Sequence, residues 1–183
     1  TSISRQREGL EVINSQVKNL TAFLDSYHRL THLPEPEYKT VSVPALFTKL
    51  ERLLQAEPRS ERVVYCDGKA DRSTGKELQV YGDANLLTLA LINLIRNALQ
   101  AVDGIVRVDT CAGATGHLLI IITDNGPGIP PERLSAIFTP FFSTKSGGSG
   151  IGLPISQRIM QLHGGQLSVS SIPNVRTEFR MEF

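Results

Sequence analysis

Two asparagines, one aspartate and a run of glycines carry most of the chemistry legible in this chain of 183 residues. Asn93 and Asn97 stand four apart in Asn93-Leu-Ile-Arg96-Asn97-Ala98, so on a helix both amides leave from one side. Each amide has a carbonyl that can ligate a hard cation and an amine that can donate to a phosphate oxygen. Taken alone, the pair reads more plainly as polar residues on an exposed or capping face. The strongly apolar sequence around them argues the other way. Asp124 follows the apolar run from Leu118 to Ile122 and opens Asp124-Asn-Gly126-Pro-Gly128-Ile129. A carboxylate at a strand end can accept a hydrogen bond from the exocyclic amine of adenine, which distinguishes adenine from guanine. Gly126 and Gly128 allow a sharp turn close to a base, although an ordinary Asp-Asn-Gly turn has the same composition. Gly148-Ser-Gly150-Ile151-Gly152 then runs into a helix near Leu153, where free backbone amides and the helix dipole make a cradle for phosphate. No βαβ unit surrounds it and no Gly-Lys-Ser/Thr ends it, which excludes the dinucleotide fingerprint and the Walker loop.

Elements able to position these groups follow from periodicity. Asp83 to Val102 predicts a helix, capped by Asp83, with Leu86, Leu87, Ala90, Leu91, Leu94, Ile95, Ala98 and Leu99 on its core face. Ile151 to Leu162 predicts a second helix, stopped by Gly164-Gly165, and Val43 to Leu54 a third with Pro44 in its first turn. Short strands are expected at Arg62 to Cys66 and Glu77 to Tyr81 around a polar turn, and a hairpin at Ile105 to Cys111 and His117 to Thr123. Gln166 to Ser171 and Thr177 to Phe183 close the chain as strands. Before all of these, Leu10, Ile13, Val17, Leu20, Leu24 and Tyr27 alternate steps of three and four, the stripe of a long helix that must bury its seam on something. Leu33-Pro34-Glu-Pro36 ends that helix. The expected division is a seam helix over 1–33, a linker over 34–42 and a domain over 43–183. The expected class is α/β (α+β), with helices segregated to one face of a mixed sheet.

In fixed order, Asn93 to Ala98, Asp124 to Gly128, Phe138-Thr-Pro140-Phe141-Phe142 and Gly148 to Leu153 resemble the N, G1, F and G2 boxes of the sensor histidine kinase ATP-binding domain. That domain shares a superfamily with DNA gyrase, the heat-shock 90 chaperones and the mismatch-repair ATPases. The resemblance covers roughly residues 10–183, with its specific part at 83–183, and implies a two-layer sandwich of the Bergerat type behind a dimerisation-type helix. It implies ATP and Mg2+ as cofactors, with Asn97 coordinating the magnesium that bridges the phosphates and Asn93 beside it. In the related ATPases a glutamate at the Asn93 position activates water. An amide cannot, so the site suits holding ATP over hydrolysing it rapidly. Thr177 matches the threonine that assists the aspartate, and Ile129, Ile151 and Leu153 are carried over as further nucleotide contacts. The chain departs from many members in having Gln100 and Ala101 where a lysine and an aromatic follow the N box, and Arg176 where a glycine precedes the threonine. Asn-Leu-Ile-Arg-Asn-Ala-Leu-Gln-Ala looks instead like the nitrogen-regulation subgroup. Arg96 and Lys145 are then the candidate phosphate cations. Arg96 fits a solvated helix position equally well, and Lys145 fits an ordinary exposed lysine in the polar, lid-like stretch 143–148. Phe138, Phe141 and Phe142 read as lid anchors and core, or as a surface for a partner helix. His163, in the His-Gly-Gly that follows the last box, reads as structural.

The expected reaction is transfer of the γ-phosphate to a histidine, for relay to an aspartate on a response-regulator receiver domain. No histidine of this chain has the acceptor's context. His28 precedes Arg29-Leu30, His32 precedes Leu33-Pro34, and His117 sits in a hairpin. The expectation is therefore a kinase piece whose phosphoacceptor helix lies elsewhere, forming a homodimer in the full-length protein. The alternatives are a serine kinase of the same fold, which rarely needs a seam helix, and a non-catalytic nucleotide-binding module, against which the intact boxes argue. A net charge of +1 gives no basis for binding nucleic acid. Cys66 and Cys111 lack metal-ligand spacing and read as reduced thiols. No run is long enough to span a bilayer. A chain opening on Thr1 suits a cytoplasmic piece of a longer protein, whose parent is free to be membrane-anchored.

Overall fold

The computed structural model describes residues 2–66, 77–102, 104–112, 117–144 and 148–183. Helix α1 runs over Ser2–Thr31. Leu10, Ile13, Val17, Leu20, Leu24 and Tyr27 line one stripe of it, and each is more than half exposed. The chain continues through β1 (Lys39–Ser42), α2 (Val43–Leu54), β2 (Val63–Cys66), β3 (Gln79–Gly82) and α3 (Ala84–Ala101). The hairpin strands β4 (Val106–Ala112) and β5 (Leu118–Asp124) follow, then the four-residue α4 (Pro131–Leu134) and α5 (Gly152–Leu162). Strands β6 (Gln166–Ile172) and β7 (Arg176–Glu182) end it.

Five strands form one mixed sheet in the order β2-β4-β5-β7-β6, parallel only between β2 and β4. Alternation along β5 buries Leu118, Ile120, Ile122 and Asp124 on the helical side, where α3 and α5 pack on each other and on the sheet. The result is the expected two-layer sandwich, with its core among Leu87, Leu91, Leu94 and Ile95 of α3, Ile159 and Met160 of α5, and Ile122 and Met181 of the sheet. The expected helices are observed within a residue or two of their predicted bounds, because their apolar stripes are local signals.

Two strands expected around a single turn belong to different sheets. Strand β2 joins the main sheet, whereas β3 pairs antiparallel with β1, with Val41 opposite Val80. The intervening polar turn lies outside the described residues. Strand β1 occupies the end of the segment read as a linker, which is thereby tied to the domain. Further ties come from Tyr38, whose hydroxyl donates to the Leu162 carbonyl at 2.5 Å, and from the Glu37 N–H, which donates to Asp83 Oδ2 at 2.8 Å.

Asp83 joins that segment to the helices. Its Oδ1 accepts from the Asn85 and Leu86 N–H groups at 2.8 and 3.0 Å and caps α3. Its own N–H donates to His163 Nε2 at 2.9 Å, while His163 Nδ1 lies 2.7 Å from the Ile159 carbonyl. His163 is thus structural, bridging the end of α5 to the start of α3. Burial opposes ionisation of Asp83, but the Glu37, Leu86 and Asn85 amides and the nearby His163 outweigh it and hold the carboxyl below its ordinary 3.8. A carboxyl with a lowered folded-state pKa contributes stability above its unfolded value, and the contribution is lost as pH falls through the folded value. Asp83→Ala is expected to destabilise the chain by about 1–2 kcal/mol at neutral pH. In urea titrations the gap between mutant and parent should close as pH drops below about 4.

Candidate functional site

A cavity of about 620 Å³ opens between α3, the end of β5, α4, the start of α5 and β7. It gathers residues from all four stretches singled out above. From α3 come Asn93, Arg96 and Asn97, followed one turn on by Gln100 and Ala101. Spacing of three and four along the helix puts them on its one non-core flank. The Asn93 Nδ2 amine donates to the Gly152 carbonyl at 3.3 Å, so the asparagine helix and the glycine loop are joined at the cavity wall. Ser156 Oγ reinforces the junction by donating to the same carbonyl at 2.9 Å.

Asp124 is buried at the end of β5, directly across from Thr177 on β7. Its Oδ1 accepts from the Gly126 N–H at 2.9 Å, which folds the following loop back on the carboxylate. Gly128 has φ of +78°, and a Cβ there would lie 2.8 Å from Pro173 Cα. The loop can take this course only with glycine at that position. Asn174, at the β6–β7 turn, donates its N–H to the Pro127 carbonyl at 2.9 Å and supports the loop from behind.

Gly150 is the second position where glycine is required. With φ of +65°, its Cβ would meet the Phe141 carbonyl carbon at 2.6 Å. The Phe141 N–H donates to the Gly150 carbonyl at 3.0 Å, so the aromatic stretch and the glycine loop close the stem of the segment between them. Phe138 and Phe142 pack against the core, as expected of anchors, while Phe141 stays exposed and has φ of +65°. Ile151, Gly152 and Leu153 follow, and α5 begins with no side-chain cap from its N-cap residue, Ile151. An uncapped helix start behind a glycine loop leaves donors available for an anion.

Of the expected contact residues, Asn93, Arg96, Asn97, Asp124, Gly128, Ile129, Gly148, Gly150, Gly152, Leu153 and Thr177 line the cavity. Gly126 lines a smaller neighbouring concavity with Asn125 and Asn174. Ile151 is buried in the core beneath the glycine loop. Lys145 lies outside the described residues. Arg96, read from sequence as either a phosphate cation or a solvated residue, lines the cavity and forms an ion pair with Glu57. Arg133 of α4 also lines the cavity, together with Ile137 and Phe179. No local pattern marks these three, because they reach the site only through the packing of α4 and β7.

Comparison with known proteins shows the family of the fold. Residues 82–183, more than half of the chain, match a family profile described as "Histidine kinase-, DNA gyrase B-, and HSP90-like ATPase". Sensor histidine kinase ZraS of Salmonella typhimurium is 42% identical over 96 residues, which are 51% of this chain and 21% of that protein. Sporulation kinase C of Bacillus subtilis is 30% identical over 173 residues, covering 93% of this chain and 40% of its own. The chain therefore spans between about a fifth and two fifths of the length of these relatives. Among solved structures, the catalytic domain of histidine kinase ThkA superposes with a TM-score of 0.66 at 27% identity, covering 80% of this chain and 95% of that one.

Proposed function

Because the chain belongs to the histidine kinase-, DNA gyrase B- and HSP90-like ATPase family and carries the ATP-binding domain of a sensor histidine kinase, we propose that it transfers the γ-phosphate of ATP to a histidine on a dimerisation helix outside these residues. From there the phosphate passes to an aspartate of a response-regulator receiver domain. The observation that carries this reading is that Asn93 and Asn97, Asp124 and Thr177, and the glycine loop wall one and the same cavity. Asp124 and Thr177 face the adenine amine. The uncapped start of α5 and the Gly148–Gly152 loop receive the phosphates. Lys145 and Arg96 are the cations assigned to the phosphates, Arg96 on exchanging Glu57 for them.

Among the described residues no group of three or more His, Cys, Asp or Glu could hold a metal ion by itself. A magnesium ion bound mainly through nucleotide phosphates and water needs only one or two protein oxygens. The Asn97 amide at the cavity wall fits that requirement, with Asn93 next to it, and the ion would neutralise charge on the transferring group. Asn93 has no basic atom with which to activate water, and its amine is held by the Gly152 carbonyl. The chain's own contribution is to bind, orient and shield the triphosphate until an acceptor imidazole arrives.

In the proposed full-length protein, the exposed stripe of α1 pairs with the acceptor helix and with a second copy. His28, in the last turn of α1, and His32, just beyond its end, have rings stacked with centroids 4.5 Å apart and are not assigned the acceptor role. Incubated with γ-labelled ATP and magnesium, the chain alone should acquire no label on histidine. Adding a dimerisation hairpin that carries an acceptor histidine should restore transfer in trans, since reacting atoms must come within about 3–3.5 Å. Acid-labile, base-stable label on His28 or His32 would overturn this assignment.

A further inference from the structure

Behind Thr177 stands a hydroxyl to which the proposed mechanism gives no role. Ser171 of β6 lies opposite Thr177 of β7, which in turn lies opposite Asp124 of β5, so the three form one row across three strands. Ser171 Oγ accepts from the Ile129 N–H at 2.8 Å, lies 3.1 Å from Thr177 Oγ1, and lies 3.3 Å from the Arg176 carbonyl oxygen. A serine hydroxyl has one proton and two lone pairs. Only one assignment of hydrogens uses all three contacts. The Ile129 amide and the Thr177 hydroxyl both donate to Ser171, and Ser171 donates to the Arg176 carbonyl. Were Ser171 to donate to Thr177 instead, the carbonyl contact would have no hydrogen.

With its only proton directed at Ser171, Thr177 presents lone pairs alone to the cavity it lines, beside the buried Asp124 carboxylate. Two neighbouring acceptors favour a ring edge bearing an amine and disfavour one bearing an oxygen. The geometry points to Ser171 as a positioning residue that sets the polarity of the Thr177 hydroxyl and so selects 6-amino over 6-oxo purines. The inference rests on the reading of Asp124 and Thr177 as the base-facing pair.

Affinities of the full chain for ATP and for inosine triphosphate, which carries a 6-oxo group in place of the amine, provide the test. Ser171→Ala should narrow the ATP-to-inosine-triphosphate affinity ratio by about 2- to 10-fold. Ser171→Thr, which keeps the hydroxyl, should retain the parent ratio. On a Thr177→Val background, Ser171→Ala should change the ratio no further. Should Ser171→Ala fail to fold, Ser171→Cys, with its weaker donor and acceptor, should narrow the ratio in the same direction. Equal weakening of both nucleotides would make Ser171 a support for the loop alone and overturn the inference. An unchanged ratio in Asp124→Ala would place the failure in the base-facing reading itself. A ratio lost in Asp124→Ala but kept in Ser171→Ala would refute only the role of Ser171.

Discussion

Asp124→Ala is expected to lower ATP affinity by about 10- to 150-fold, the equivalent of losing a hydrogen bond to a charged acceptor at a buried site. The carboxylate is 4% exposed and sits in the row shared with Thr177, so neither water nor another side chain of that row replaces its charge. Its Oδ1 also holds the Gly126 N–H, and the alanine variant therefore loosens the loop as well as removing the base contact. Asp124→Asn separates the two effects. Its amide oxygen can keep the Gly126 bond, while the amine turned toward the base opposes the adenine amine and suits a 6-oxo purine. ATP affinity should fall in both variants, and inosine triphosphate should lose less in Asp124→Asn than in Asp124→Ala. Titration with fluorescent or radiolabelled nucleotide measures each value. Unchanged ATP affinity in Asp124→Ala would remove the aspartate from its proposed role.

Loss of the magnesium response is the expected signature of Asn97→Ala and Asn97→Asp. Asn97 lies on the cavity flank of α3, half-buried, while its neighbours Leu94, Ile95, Ala98 and Leu99 are packed in the core. Truncating the amide leaves that packing intact, so circular dichroism and melting behaviour should match the parent. The aspartate variant keeps an oxygen but adds a negative charge facing the triphosphate. Binding measured with magnesium should weaken by at least about 10- to 100-fold, approaching the metal-free value. Transfer to a supplied acceptor helix should fall at least as far. Equal magnesium dependence in mutant and parent would show that the metal is held by other groups.

Much of the site was legible before any packing was known, because its signals are local. Asn93 and Asn97 share a face at any location of their helix, and a glycine run ahead of an apolar helix leaves amides unpaired wherever the helix docks. The apolar stripes of α2, α3 and α5 likewise required burial irrespective of partner. What the sequence could not determine were pairings between residues distant in the chain. Strands β2 and β3 flank one turn yet enter different sheets, since a strand's partner is chosen by register and buried face, which neighbouring residues do not encode. The segment read as a linker acquired β1 because β3 offered it an edge, and the Glu37 and Tyr38 bonds reach residues 46 and 124 positions away. Arg96 lines the cavity and pairs with Glu57, 39 residues off, a neighbour that no local pattern encodes. Local pattern selected the groups proposed to bind a nucleotide. Only the tertiary fold decided which of them face one cavity and which, like Ile151, are buried in the core instead.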